Sequence, residues 1–128
     1  MACLETSFII DVLDGNERAR SVMEELDTNG TRPTITPVTA SEVWVGAYFG
    51  SAGELEAARE LLESLTWLSF SRSCARRAGK IQAALKREGS PLGIADCMIA
   101  AVAIEQGDPL VTRDEDFTKI DELVVRTY

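Results

Sequence analysis

From Ile94 to Ile104 the chain reads Ile-Ala-Asp-Cys-Met-Ile-Ala-Ala-Val-Ala-Ile, and this run limits the fold more than any other stretch. A helix that is apolar on nearly every side must be packed on most sides, so it belongs inside a layered structure. Gly107 offers a left-handed cap and Pro109 cannot continue the helix, so it stops there. Leu110, Val111 and Thr112 then read as a short buried strand whose end is crowded with Arg113, Asp114, Glu115 and Asp116. One carboxylate, Asp96, sits in the first turn of the apolar helix, where burial is costly unless something offsets it. A carboxylate on a buried helix, with more carboxylates at a strand end, points to a metal pocket.

The rest of the chain alternates in the same way. Ala2 to Leu4 begin a strand, followed by a turn and a short helix that stops near Asp14-Gly15. Asn16 caps a second helix through Leu26, with Ala19, Val22, Met23 and Leu26 facing inward. Thr34 to Val38 read as a second strand, and Thr39-Ala40-Ser41-Glu42 opens a helix to Phe49. Gly50 to Gly53 break it, and Glu54 to Ser64 form another amphipathic helix. Trp67 to Phe70 give a third strand, then a helix capped by Ser71 or Ser73 runs to Arg87, burying Ala78, Ile81 and Leu85. Leu110 to Thr112 is the fourth strand and Leu123 to Arg126 the fifth. Strands alternating with helices predict an α/β fold: a short parallel sheet of about five strands with helices on both faces.

The 128 residues fit one domain, 1–128, large enough to bury a real core. No apolar run approaches a membrane span and no leader precedes the first strand, so the expectation is a cytoplasmic protein without membrane contact. Cys3, Cys74 and Cys97 are odd in number and form no Cys-x-x-Cys pair, which predicts buried free thiols. The chain has no histidine at all. That absence removes Ser-His-Asp and Cys-His catalysis and nearly all zinc enzymes. Hydrolytic chemistry would have to run on carboxylates, hydroxyls and hard cations. A net charge of −8 disfavours nucleic-acid binding by the whole surface but leaves room for a local basic face.

Ligands of parallel α/β sheets bind beyond the carboxyl ends of the strands. Glu5 follows the first strand, Glu42 comes shortly after the second, and Asp114 follows the fourth. Asp96 opens the helix that leads into the fourth. Each acid has an ordinary reading when taken singly. Glu42 stands at capping-box spacing from Thr39, and Asp96 complements a helix dipole. Asp114 caps the turn it precedes, and Glu5 is a solvated strand end. Together they repel, and a fold that collects them implies a cation such as Mg²⁺ or Mn²⁺.

Four fragments, in this order and spacing, resemble the PIN-domain signature: Leu4-Glu5-Thr6-Ser7-Phe8-Ile9-Ile10-Asp11, Ser41-Glu42-Val43, Ile94-Ala95-Asp96 and Thr112-Arg113-Asp114-Glu115-Asp116-Phe117. The resemblance covers the whole chain and is closest to VapC-type toxins. It implies a three-layer α/β sandwich and an Mg²⁺- or Mn²⁺-dependent endoribonuclease, held inactive by a cognate antitoxin and usually dimeric. By position, Glu5, Glu42, Asp96 and Asp114 match the metal-binding and catalytic acids, with Asp116 as a further metal-binding one. Thr6, Ser7 and Thr112 match supporting hydroxyls. One position departs: the family pattern has Asp where this chain has Glu5, which makes an attenuated site, or a binding-only module, the alternative expectation.

RNA contact is expected from Arg76, Lys80 and Arg87, which share a helix face, with Arg72 one turn earlier. Two other phosphate-handling classes are excluded. A dehalogenase-type phosphatase needs Asp-x-Asp where Glu5-Thr6-Ser7 stands, and a receiver domain needs an acceptor Asp where Phe70-Ser71 stands.

Overall fold

The computed structural model describes residues 1–128. The chain runs β1 (Ala2–Leu4), α1 (Thr6–Leu13), α2 (Glu17–Thr28), β2 (Pro33–Ile35), α3 (Pro37–Phe49), α4 (Ala52–Ser64) and β3 (Thr66–Trp67). It continues through α5 (Arg72–Arg87), α6 (Ile94–Gln106), β4 (Leu110–Val111), a 3-10 turn (Glu115–Lys119) and β5 (Val125–Arg126). The five strands form one sheet in the order β3-β2-β1-β4-β5, with every pairing parallel.

The pleat divides the core into two halves. Cys3 and Leu110, partners in register, point to the face covered by α5 and α6, where Cys97, Ile99, Val102 and Phe117 are fully enclosed. Leu4 and Val111, the next pair along, point to the face covered by α1 to α4, with Phe8, Ile9 and Leu62. The result is the three-layer sandwich with helices on both faces. Helix α6 is buried at every position from Cys97 to Ala103 except Met98, as its composition requires, and Gly107 ends it at φ 71°. All three cysteines are buried and free, and burial pushes the Cys3 thiol up to about 12.

Four element boundaries differ from the sequence reading. The second strand is shorter because Thr36, not Thr39, caps the following helix: its hydroxyl accepts from the Thr39 amide at 3.0 Å and Pro37 fills the first turn. Helix α4 begins at Ala52, since Ser51 and Glu54 form a reciprocal capping box. The third strand ends at Trp67, and Leu123 docks into the core instead of extending the last strand.

After β1 the chain builds outward through β2 and β3, and β4 then pairs with the opposite edge of β1. The carboxyl ends of β1 and β4 therefore flank the switch point of the sheet, the place where such folds bind ligands.

Candidate active site

Glu5 emerges directly from β1 and is also the N-cap of α1. It is buried, at 5% exposure. Its Oε2 accepts three hydrogens: from the Ser7 amide at 2.9 Å, the Ser7 hydroxyl at 2.5 Å and the Thr112 hydroxyl at 2.7 Å. Each of those hydroxyls accepts in turn, Ser7 from the Arg113 amide at 3.1 Å and Thr112 from the Asp114 amide at 3.0 Å. A hydroxyl has one proton to give, and both give it to Glu5. The 3.2 Å approach of Ser7 Oγ to Thr112 Oγ1 is thus a consequence of sharing one carboxylate oxygen. This network leaves Oε1 of Glu5 as the oxygen open to a ligand.

Thr6 serves a different acid from the one beside it. Its hydroxyl donates to Oε1 of Glu42 at 2.6 Å, tying α1 to α3. Since Thr36 caps α3, Glu42 lies in its second turn and takes no part in a capping box. Asp114 does have the capping role, its Oδ1 accepting from the Asp116 amide at 2.9 Å at the start of the 3-10 turn. Asp116 is exposed and pairs with Lys119 at 3.3 Å.

Asp96 stands half-buried in the first turn of α6. Its carboxyl is pushed up to about 6, first by burial and then by the negative charges of Glu5, Glu42, Asp114 and Asp116. Groups from three other parts of the chain thus act on one carboxylate. None of the protein's ion pairs involves Glu5, Glu42, Asp96 or Asp114. Yet no three of these acids are already close enough to hold an ion together. The two observations concern different distances: repulsion is felt across several ångströms, whereas ligation of Mg²⁺ needs oxygens at about 2.0–2.1 Å. The donor set is oxygen only, which fits a hard divalent cation.

The basic residues of α5 are not gathered with the acids as a group. Helices α5 and α6 run antiparallel: Ser73 and Arg77 bond Glu105 near the end of α6, while Gln82 bonds the Leu92 carbonyl just before its start. Arg72 and Arg76 therefore lie toward the end of α6 remote from Asp96, Lys80 follows, and Arg87 ends α5 on the side of the start of α6. The reading of the sequence also gave no role to Asp11, which is 5% exposed and bonded by Arg113 at 3.0 Å and by the Tyr128 hydroxyl at 2.6 Å. Burial and the Asp11 carboxylate raise the Tyr128 phenol, keeping it a proton donor. The signal available was a carboxylate one helical turn beyond Ser7 on an otherwise apolar helix.

Comparison with known proteins identifies the family. Residues 2–123 match the model of the PIN domain. The tRNA(fMet)-specific endonuclease VapC of Salmonella typhimurium is 31% identical over 110 residues, covering 84% of this chain and 83% of that protein. Among solved structures, DNA-bound VapBC from Salmonella typhimurium superimposes with a TM-score of 0.87 at 26% identity, over 99% of this chain and 98% of that one. VapBC-5 from Mycobacterium tuberculosis, a member of the VapBC family of toxin–antitoxin systems, gives a TM-score of 0.70 at 28% identity, over 98% and 95%. With the acids placed at the switch point and the match running through nearly the whole chain, the protein belongs to the PIN-domain family, among its VapC-type members.

Proposed function

We propose that this protein is an endoribonuclease, the toxin of a toxin–antitoxin pair, which cuts RNA phosphodiester bonds with Mg²⁺ or Mn²⁺ held by Glu5, Glu42, Asp96 and Asp114. What supports this reading is that the charges of Glu5, Glu42, Asp114 and Asp116 all bear on Asp96, which has no cationic partner. The similarity to an endonuclease at 31% identity supports the substrate class.

When bound, the cation supplies charge neutralisation at the phosphate and Lewis acidity for hydrolysis. The chain's own groups position the ligands. Ser7 and Thr112 fix Glu5 on one oxygen, Thr6 orients Glu42, and the enclosed helix α6 holds Asp96 on a rigid base. On this reading Arg87 meets RNA on the side of the start of α6. Lys80, Arg76 and Arg72 follow along a helix about 24 Å long at 1.5 Å per residue.

An antitoxin would cover the acids with an Arg or Lys, since a guanidinium pairs with two carboxylates at once. A homodimer would cover the exposed Val45, Tyr48 and Phe49 of α3. No helix is long and apolar enough to cross a membrane, and the reading places the protein in the cytoplasm with its RNA.

The deciding experiment incubates purified protein with mixed cellular RNAs in Mg²⁺, in Mn²⁺ and in EDTA. Discrete fragments in metal and none in EDTA are expected, and intact RNA in both metals would end the nuclease reading. Co-expression with the neighbouring gene's product tests the pairing, for which the expected result is a stable complex without cleavage.

A further inference from the structure

Arg113 is attached to α1 at two points. Its amide donates to Ser7 Oγ at 3.1 Å and its guanidinium to Asp11 Oδ1 at 3.0 Å, one turn further along the helix. A buried carboxylate is costly unless both its oxygens are engaged. The second oxygen of Asp11 takes the Tyr128 hydroxyl at 2.6 Å, and the Tyr128 ring stands edge-on against Phe8, with centroids 5.1 Å apart. Despite this anchoring the Arg113 side chain remains 61% exposed. One N–H of its fork is spent on Asp11, and the remaining donors face solvent.

We infer that Arg113 contacts the RNA backbone through a phosphate beside the metal ligands, and that Asp11 and Tyr128 are positioning residues that aim it. The inference rests on the ribonuclease reading. A protein of net charge −8 with an acid cluster repels a polyanion unless discrete cations oppose that field. Lys119 is paired with Asp116, and Arg72 and Arg76 lie at the far end of α5. Arg113 adjoins Asp114 itself. A guanidinium can hold a carboxylate on one edge and a phosphate on another, which an ammonium does less well. Fixing it in advance also removes the rotamer entropy that binding would otherwise cost. As a stabilising device the pair would be weak, because one partner is largely in water.

The test measures binding of a fluorescein-labelled single-stranded RNA by anisotropy in Ca²⁺, across a series of salt concentrations. Arg113→Gln should weaken binding roughly tenfold. It should also flatten the slope of log affinity against log salt by about 0.7, the value for one phosphate contact on a single strand. The midpoint of Mn²⁺-induced thermal stabilisation should not move, because the residue-113 amide that holds Ser7 is retained. Asp11→Asn and Tyr128→Phe should weaken binding in the native background and do nothing further in the Arg113→Gln background, the non-additivity of groups acting through one residue. Unchanged affinity in Arg113→Gln would overturn the assignment. So would weaker binding with an unchanged salt slope, which would mean distortion of the site. A protein that shows the slope change but cuts no RNA in Mg²⁺ or Mn²⁺ would keep the Arg113 contact and lose the nuclease reading.

Discussion

The Thr6 hydroxyl donates to Glu42 Oε1 at 2.6 Å, so the residue next to Glu5 steers an acid on another helix. Hydroxyl and carboxylate are both reachable by solvent, so the bond contributes less to folding than to where Glu42 points. Thr6→Val, which keeps the shape and removes the donor, should leave the melting temperature within about 2 °C, the shift expected of a few tenths of a kcal/mol. Its cleavage rate should need several-fold more Mn²⁺ to reach half its maximum. The measurement is initial rate against Mn²⁺ concentration, and an unchanged half-saturation would remove Thr6 from the site.

Asp96 titrates about 6 in the folded chain, against an ordinary 3.8. The folded state therefore binds this proton more tightly than the unfolded one, and stability from this group falls as pH rises from about 3.8 to about 6. Above that window the ionised acid is a standing cost in metal-free protein. Asp96→Asn should raise the metal-free melting temperature at pH 7 and abolish cleavage. Thermal scans at pH 5 and 7 in EDTA check the sign: the gain must be larger at pH 7.

Cation binding to the native state alone adds stability by mass action, about 2.7 kcal/mol at a hundredfold excess over Kd. Titrating Mn²⁺ should raise the melting temperature of the native protein and raise that of Asp96→Asn far less. A flat titration up to high millimolar Mn²⁺ would contradict a metal site built from these acids.

Glu5 stands where the resemblance implies Asp, one methylene shorter, and its carboxylate accepts from Thr112 as well as Ser7. Mg²⁺ is strict about octahedral geometry, so a ligand arm folded back into a helix cap should serve it poorly. Glu5→Asp should cleave RNA faster in Mg²⁺ and narrow the advantage of Mn²⁺. Single-turnover rates for both proteins in each metal decide this, and an equal or slower variant in Mg²⁺ shows that the longer arm is accommodated.

Much of this site is written locally. The all-round apolar character of α6 required burial, and its Gly107 stop and the short strand after it followed from single residues. The ordering of strands and helices was enough to bring Glu5, Asp96 and Asp114 to one edge. What local pattern could not supply were partnerships across the fold. Thr36 outcompeted Thr39 as a cap because Pro37 pre-sets the first turn, which moved Glu42 out of a capping box and into reach of Thr6. The α5 stripe looked continuous in sequence, but the antiparallel packing of α5 and α6 sets its start beside Glu105 and its later turns toward the start of α6. Asp11, Arg113 and Tyr128 meet only because the sheet places β4 and the tail beside α1.

The pairing of β1 with β4 has a consequence for how the protein is made. Six helices and three strands are synthesised before β4 exists, and until then the centre of the sheet ends in an open edge at β1. Along that edge the amides of Cys3 and Glu5 await the carbonyls of Pro109 and Val111. A nascent chain paused before Leu110 thus exposes an unpaired strand able to join another chain. It also lacks Thr112 to hold Glu5 and Asp114 to complete the acids, so no finished site exists until β4 and the turn after it have been made.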